Sequence, residues 1–264
     1  MIKVDYGIRC SNKKIRNNIN EDYLYVNEEK CIYIVADGIS RLNKDIIEYQ
    51  KGKSNALYAA KMFCMEIGNE LTTKPKLSKF ENVKFLKKAF LNANYKFKTF
   101  LNDISEEYQE VPGCVGLASF IENDRFYYGG VGDCVGVLIR NNQKIVFFSK
   151  QTEGVVKYYH PTTSEADRKM LNEMFVNKSG TFAYGVFNGD DNVKSFFNPN
   201  FIDLVDNDVI YIMSDGVSDY ILYENYDSYK ALSIDDIFNN QAKMSNLRHS
   251  EYDDMTLIKI EYKK

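Results

Sequence analysis

The chain has 264 residues, of which 44% are hydrophobic, and its formal net charge is −3. This length fits one large domain or two small ones, and the apolar fraction is sufficient for a full hydrophobic core. The charge is near neutral and no basic stripe is interleaved with aromatic residues, which argues against a nucleic-acid-binding protein. Five cysteines without metal-ligand spacing favour reduced, mostly buried thiols in a reducing compartment.

The sequence contains no signal of a membrane protein or of a second domain. The N-terminal residues MIKVDYGIRC have no apolar signal region, and no stretch approaches the length of a membrane span. No long linker, low-complexity tract or shift in composition divides the chain. We therefore expect a single domain over residues 1–264 that does not bind membranes and is located in the cytoplasm.

Hydrophobic periodicity predicts mostly short strands with a few helices. In chain order, we predict strands over 2–9, 23–26 and 31–36, helices over 54–71 and 85–101, strands over 115–121, 126–131, 135–140 and 144–148, a helix over 164–175, a strand over 209–214, a helix over 235–244 and a strand over 255–262. The second and third strands should form a hairpin, and the four strands between 115 and 148 should form an antiparallel meander. Residues 181–208 are interpreted as loop. Antiparallel strands and paired helices then form layers.

A short apolar run that ends in Asp-Gly occurs twice in the sequence. Residues 32–36 lead into Asp37 and Gly38, and residues 209–214 lead into Asp215 and Gly216. A continuous apolar run bounded by a turn signal is typical of a buried strand, so each copy should leave a carboxylate at a strand end. An unpaired carboxylate is costly to bury and therefore requires a cation or several hydrogen-bond donors. Taken alone, each Asp-Gly is also a common turn dipeptide.

Further acidic residues lie at the edges of other predicted strands, and they indicate a metal site. These residues are Glu21, Asp22, Asp133, Asp253 and Asp254. Hard divalent cations prefer carboxylate and carbonyl oxygens, so a site without Cys or His ligands suits Mg²⁺ or Mn²⁺ rather than zinc. Two such ions can share a carboxylate, polarise a phosphoryl group and lower the pKa of a bound water. The two histidines, His160 and His249, lie in no recognisable triad context.

The ordered motifs resemble those of PP2C-type (metal-dependent, PPM) serine/threonine phosphatases of bacteria, from Tyr6 to Tyr262. The motifs are Asn20-Glu21-Asp22, Val35-Ala36-Asp37-Gly38, Val131-Gly132-Asp133, Ser214-Asp215-Gly216 with Ser218-Asp219, and Asp253-Asp254-x-Thr256. The resemblance implies an α+β fold, a four-layer αββα sandwich in which two antiparallel β-sheets are flanked by helix pairs. It also implies a two-metal site in the cleft at one edge of the sandwich.

The same resemblance implies roles for individual residues. Asp37 would bridge two metals, and the Gly38 carbonyl would ligate one of them. Asp215 and Asp253 would hold the other metal. Glu21 and Asp22 would act through metal-bound waters or as hydrogen-bond acceptors behind the ligands, and Asp133 would contribute to a weaker third ion. The implied activity is hydrolysis of phosphoserine and phosphothreonine in proteins with Mn²⁺ or Mg²⁺, opposite a serine/threonine kinase. We expect the protein to be a monomer.

Several residues depart from the family pattern and leave alternatives open. Ile39-Ser40-Arg41 follows the first Asp-Gly, where the family usually has a Gly-rich continuation. Arg16 is the nearest candidate for a phosphate-binding arginine, with Lys13 and Lys14 as rivals, and a plain solvated basic loop is the alternative. Cys114 and Cys134 are interpreted as small packing residues.

Two alternatives to an active phosphatase remain. The first is a catalytically silent PP2C-like module that binds a partner, suggested by the altered loop after Gly38 and by the displaced arginine. The second is an unrelated α/β sandwich whose aspartates are only turn residues, which explains each Asp-Gly separately but not the ordered set.

Overall fold

Ten strands in the described part of the chain form two five-stranded antiparallel sheets. The computed structural model describes residues 1–11, 19–39, 54–104, 112–155, 165–247 and 252–264. The strands are β1 (Ile2–Arg9), β2 (Tyr23–Asn27), β3 (Ile32–Ile39), β4 (Gly113–Glu122), β5 (Arg125–Val131), β6 (Val135–Arg140), β7 (Gln143–Phe148), β8 (Asn200–Asp203), β9 (Val209–Met213) and β10 (Met255–Tyr262). The first sheet has the order β1-β10-β9-β6-β7, and the second has the order β2-β3-β4-β5-β8.

Helices cover the outer face of each sheet, whereas one helix, Glu165–Phe175, contacts the side chains between the sheets through Phe175. Within the described ranges they are α1 (Asn55–Thr72), α2 (Lys79–Ile104), α3 (Glu165–Phe175), α4 (Asp215–Tyr223), α5 (Tyr226–Tyr229) and α6 (Ile234–Leu247), with a short 3-10 helix at Asp191–Ser195. None of these helices is long and apolar enough to cross a bilayer.

Three separate clusters of buried side chains join four layers. Phe63 of α1 and Phe90 of α2 pack on the outer face of the second sheet. Val35 of β3 and Ile258 of β10 belong to the cluster between the two sheets. Phe238 of α6 belongs to the cluster on the outer face of the first sheet. The layers therefore follow the order helix, sheet, sheet, helix, which confirms the predicted four-layer αββα sandwich.

The continuous apolar run of β3 follows from this layering. Ile34 belongs to the cluster under α1 and α2, whereas its neighbour Val35 belongs to the cluster between the sheets. Successive side chains of a strand point to opposite faces, and here both faces are buried. The strand therefore requires an apolar residue at each position, not alternation.

The predicted four-strand meander is wrong, because the chain changes sheets between β5 and β6. Val131, at the end of β5, pairs with Gly116 in the second sheet, whereas Val135, at the start of β6, pairs with Met213 in the first. The two hairpins β4–β5 and β6–β7 therefore lie in different sheets. Both hairpins are buried on one or both faces, so their hydrophobic patterns do not reveal which sheet each one joins.

The other differences concern element ends and short elements. The structure confirms the predicted strands β1 and β10 and the β2–β3 hairpin. Strand β3 continues to Ile39, beyond its predicted end at residue 36, and α2 begins at Lys79, before its predicted start at residue 85. Residues 181–208, interpreted as loop, contain the 3-10 helix and the edge strand β8. Helix α4 was not predicted, because Asp215 and Gly216 were interpreted as a turn.

Lys144 of β7 holds the C-terminal end of α4, and its removal should destabilise the fold. Its ammonium donates hydrogen bonds to the carbonyls of Ile221, Leu222 (2.8 Å) and Glu224 (2.8 Å). The last carbonyls of a helix have no partner within the helix, and a cation there also opposes the helix dipole. We expect Lys144→Met to lower the free energy of unfolding by about 1–3 kcal/mol. Urea unfolding measures this, with Lys61→Met on the exposed face of α1 as the control.

Candidate functional site

The predicted acidic residues lie at one end of the sandwich. In the second sheet, the start of β2 pairs with the end of β3, and Asp37 pairs with Val115 at the start of β4. In the first sheet, the end of β9 pairs with the starts of β6 and β10. Glu21 and Asp22 precede β2, and Asp37 is near the end of β3. Asp133 lies in the turn between β5 and β6. Asp215 opens α4, and Asp253 and Asp254 precede β10. Antiparallel pairing therefore brings residues from distant motifs together.

Asp37 is the electrostatic centre of this group. Its pKa is raised well above the usual range, chiefly because the carboxylate is removed from water. The negative charges of Asp22, Asp215, Asp133 and Asp253 raise it further, in that order. Because aspartates from both sheets act on one half-buried carboxylate, the group carries excess negative charge that solvent screens only in part. This electrostatic arrangement favours a cation.

Asp22 is fully buried, and among the described residues neither of its carboxylate oxygens has a hydrogen-bond partner. Burial raises its pKa well above the usual range. The nearby hydroxyls of Ser214 and Thr256 offset part of this rise, although neither makes a hydrogen bond of ordinary geometry with it, and Asp254 and Asp215 add to it. The Thr256 hydroxyl oxygen is also buried without a partner. Buried polar groups are normally hydrogen-bonded, so these atoms indicate a site that is completed by a ligand.

Asp133 occupies a more balanced environment. Burial and the charge of Asp215 raise its pKa to about 7. The positive charge of Lys150 and a hydrogen bond of 3.4 Å from the Thr152 hydroxyl act in the opposite direction. Asp133 therefore differs from Asp37 in having an ammonium group close enough to stabilise its ionised form.

Glu21 and Asp254 have identifiable structural partners. The Glu21 carboxylate accepts a hydrogen bond from the Ser54 hydroxyl, which also caps the N-terminus of α1 by accepting a bond from the Leu57 amide (3.1 Å). The Asp254 carboxylate accepts bonds from the backbone amides of Ser11 (2.6 Å) and Glu21 (2.8 Å). Asp254 therefore ties the end of β1 and the start of the Glu21-Asp22 motif to β10.

The glycines of the two Asp-Gly motifs are required by packing. A Cβ at Gly38 would lie 2.6 Å from the backbone of Ala56 and 2.7 Å from the Glu21 carbonyl oxygen. A Cβ at Gly216 would lie 1.9 Å from the carbonyl oxygen of Asp254. Each glycine therefore lets its aspartate motif approach the chain segment that carries other acidic residues of the site.

Gly216→Ala should consequently destabilise the protein, because the new methyl group would overlap a backbone atom that cannot rotate away. We expect a loss of about 1–3 kcal/mol or more in the free energy of unfolding. Gly154→Ala is a suitable control, since the nearest atom, at 2.9 Å, belongs to the ring of Phe182 and can move. Equal stability of the two variants in urea unfolding would show that the contact with Asp254 is not close.

The site fits a divalent cation in its charge and donor chemistry, but its side chains do not form a closed ligand set. Across the ranges that the structure describes, no three His, Cys, Asp or Glu side chains are close enough together to hold one metal ion. Carboxylate oxygens are the ligands that Mg²⁺ and Mn²⁺ prefer.

Some predicted residues cannot be placed. Arg16, its rivals Lys13 and Lys14, the Ser40-Arg41 segment and both histidines lie outside the described residues. Cys114 and Cys134 are described, are fully buried and carry free thiols whose pKa is raised by burial. A buried neutral thiol agrees with their interpretation as packing residues.

Sequence reasoning missed the residues that support the acidic group. Ser54 could have been found, because a serine immediately before a helical pattern is a typical N-cap. The sequence identifies Asp254 as an acidic residue at a strand edge, but not as the acceptor of two backbone amides. Lys150 and Gln151 follow an edge strand and belong to no motif, so the sequence contains no signal for them.

Comparison with known proteins agrees with this geometry. The protein phosphatase 2C (PP2C) family model matches residues 27–155, just under half of the chain. No curated protein matches the sequence significantly.

Three solved structures share the fold over the full chain. The Mycobacterium tuberculosis serine/threonine phosphatase PstP/Ppp has a TM-score of 0.70 and 14% identity, with 100% of this chain and 99% of that chain covered. The catalytic domain of PstP in complex with two manganese ions has a TM-score of 0.68 and 15% identity, with both chains covered completely. The S. agalactiae serine/threonine phosphatase has a TM-score of 0.66 and 16% identity, also with complete coverage of both. Residues 27–155 thus match the PP2C family model, and the chain shares the fold of these phosphatases along its whole length.

Proposed function

We propose that the chain is a metal-dependent protein phosphatase that hydrolyses phosphoserine and phosphothreonine. The observation that carries the proposal is the convergence of carboxylates from both sheets on Asp37. A group of hard oxygen donors with excess negative charge suits divalent cations. The PstP catalytic domain, which has the same fold, has been solved with two manganese ions, and this likeness supports a two-ion site here.

In this proposal Asp37, Asp215 and Asp253, with the carbonyl of Gly38, hold two Mn²⁺ or Mg²⁺ ions. When bound, such ions polarise a phosphoryl group and lower the pKa of a bound water. The protein supplies a recess whose burial strengthens the attraction between these carboxylates and a cation. Asp22 and Glu21 orient the ligands or their waters from behind, and Arg16 is proposed to bind the substrate phosphate.

The buried Asp22 supports the proposal through its unsatisfied oxygens. A carboxylate without a hydrogen-bond donor is costly to bury, and this free-energy cost is reduced when a positive charge lies beside it. The same proposal implies phosphorylated proteins as substrates and an opposing serine/threonine kinase. It also implies a monomeric protein that acts in the cytoplasm.

The experiment is a phosphatase assay on the purified protein with p-nitrophenyl phosphate and with a phosphothreonine peptide. Each substrate is tested with EDTA, Mg²⁺ or Mn²⁺. We expect turnover that requires a divalent ion and is abolished by EDTA. A folded protein that binds Mn²⁺ but hydrolyses neither substrate would contradict the proposal.

A silent PP2C-like binding module is the second candidate. It is suggested by Ile39-Ser40-Arg41 after Gly38, where the family usually has a Gly-rich continuation. Under this alternative, a phosphothreonine peptide would bind without being hydrolysed under any metal condition. The same assay, followed by a binding measurement on the intact peptide, distinguishes the two.

A further inference from the structure

Lys150 lies between two acidic residues at the edge of the site. Its ammonium nitrogen is 3.8 Å from Oδ1 of Asp219, and the side chains of Lys150 and Asp219 are 28% and 34% exposed. Its positive charge also acts on Asp133, where it favours the ionised carboxylate. One cation therefore interacts with carboxylates from two different elements, the β5–β6 turn and helix α4.

The backbone beside Lys150 is fixed against the turn that carries Asp133. The Gln151 amide donates to the Gly132 carbonyl (2.8 Å), and the Gln151 side-chain oxygen accepts from the Gly132 amide (3.0 Å). That oxygen also accepts from Gly185 (3.1 Å), and the side-chain nitrogen donates to the Phe196 carbonyl (3.2 Å). The backbone N–H of Gln151 and both polar atoms of its side-chain amide are therefore hydrogen-bonded, and these bonds fix the backbone next to Lys150.

Asp219 belongs to the same face of α4 as Asp215. Residues four apart in a helix are neighbours on one surface. Asp215 in turn raises the pKa of Asp133, which places these three carboxylates around one corner of the site. Without Lys150, the carboxylates of Asp133 and Asp219 would leave this corner with uncompensated negative charge, which attracts a hard cation.

We propose that Lys150 is an internal cation that neutralises Asp133 and Asp219 and thereby keeps this corner from binding a divalent ion. This inference rests on the proposed function. It means that Lys150 limits the site to two metal ions, instead of the three that the resemblance implies. The ammonium repels a second cation and holds Asp219 by an ion pair. Lys150 is thus a positioning residue that sets metal stoichiometry and does not itself contact substrate.

The first test counts bound Mn²⁺ by equilibrium dialysis with EPR detection of the free ion. We compare the wild type with Lys150→Met, which removes the charge but keeps a long apolar side chain, and with Lys150→Arg, which keeps the charge. We expect two ions in the wild type and in Lys150→Arg, and three in Lys150→Met. The double variant Asp133→Asn with Lys150→Met should return to two. Three ions in the wild type, or two in Lys150→Met, would overturn the proposal.

The second test needs no metal. In EDTA, Lys150→Met should lower Tm, and the loss should shrink when Asp133 is already Asn, because the charge that Lys150 neutralises is then absent. Lys178→Met, at an exposed position, should leave Tm unchanged in both backgrounds. Equal losses in the two backgrounds would overturn the role of Lys150. A wild type that binds no Mn²⁺ would instead overturn the proposed function, so the two failures are distinguishable.

Discussion

Replacing Asp37 by Asn should reduce turnover by about 10²–10³-fold or more, the range found when a group that stabilises charge in the transition state is removed. Asp37 is the carboxylate on which Asp22, Asp215, Asp133 and Asp253 all act, so it is the best placed to share two ions. Asn keeps the shape but removes the charge. The fold should therefore remain intact, and Tm in EDTA should be equal to or higher than that of the wild type, because repulsion within the group is relieved.

The measurement is the initial rate of p-nitrophenyl phosphate hydrolysis at saturating Mn²⁺, with Tm recorded on the same preparations. Asp227→Asn is the matched control, because that carboxylate is 73% exposed on α5 and forms an ion pair with the exposed Lys230 of the same segment. It should leave the rate unchanged. If Asp37→Asn kept a rate within a few-fold of the wild type while remaining folded, Asp37 would not be a bridging ligand.

The sequence predicted most of the strands, because a short apolar run bounded by turn residues is typical of a buried strand, whereas the four layers were implied by the family resemblance. The run before Asp37 is apolar at each position, since Ile34 and Val35 contact different cores. The Ser54 helix and the closing strand at Met255–Tyr262 follow from ordinary helical and strand periodicity. The acidic motifs were located correctly, because each one adjoins such a strand.

The sequence could not predict contacts that join distant segments without a periodic signal. Helix α4 was missed, because Asp-Gly is a turn dipeptide and only the contact of Gly216 with Asp254 shows why a glycine is required there. The hydrogen bond from Glu21 to Asp254 spans 233 residues of sequence. The ion pair between Lys150 and Asp219 likewise depends on how β7 and α4 meet in three dimensions.

Asp22→Asn should stabilise the protein in EDTA, although Asp22 belongs to the motif Asn20-Glu21-Asp22 on which the family resemblance rests. The Asp22 carboxylate is buried without a hydrogen-bond partner in the described ranges, and an unsatisfied buried group of this kind costs upwards of about 2 kcal/mol. An amide removes the charge and can donate to the Thr256 hydroxyl oxygen, which also lacks a partner. At roughly 2–4 °C per kcal/mol, Tm should rise by at least about 4 °C.

The matched control is Asp208→Asn, which should have the opposite sign. Asp208 is equally buried, but its two oxygens accept bonds from the Arg140 guanidinium at 2.9 and 2.6 Å. Asn weakens these charge-assisted hydrogen bonds, and because the Arg140 side chain is 28% exposed its charge stays partly solvated, so the cost is about 1.5–3 kcal/mol. The same chemical change should therefore raise Tm at one position and lower it at the other.

The pH dependence identifies the protonation of Asp22 as the cause. Its pKa is raised in the folded protein, so at intermediate pH the folded state binds more protons than the unfolded state. Below about pH 4, the pKa of Asp22 in the unfolded state, the carboxyl is protonated in both states and the wild type does not bear the cost of burying its charge. The wild type loses stability as the pH rises from there towards the raised pKa of Asp22 in the folded state. In EDTA, the Tm advantage of Asp22→Asn should be small near pH 4 and largest at alkaline pH.

Adding Mn²⁺ should reduce the Tm advantage of Asp22→Asn over the wild type at pH 8. A ligand that binds only the folded state at 100 times its Kd contributes about 2.7 kcal/mol, and the wild type should gain most of this because its carboxylate neutralises the ion. Asp22→Asn should gain less, so its Tm advantage should shrink or disappear. Differential scanning fluorimetry at both pH values, with EDTA and with Mn²⁺, gives all four comparisons. An Asp22→Asn variant that is less stable than the wild type in EDTA at pH 8 would show that this carboxylate is already satisfied without a cation, which would remove the main electrostatic argument for a metal at this site.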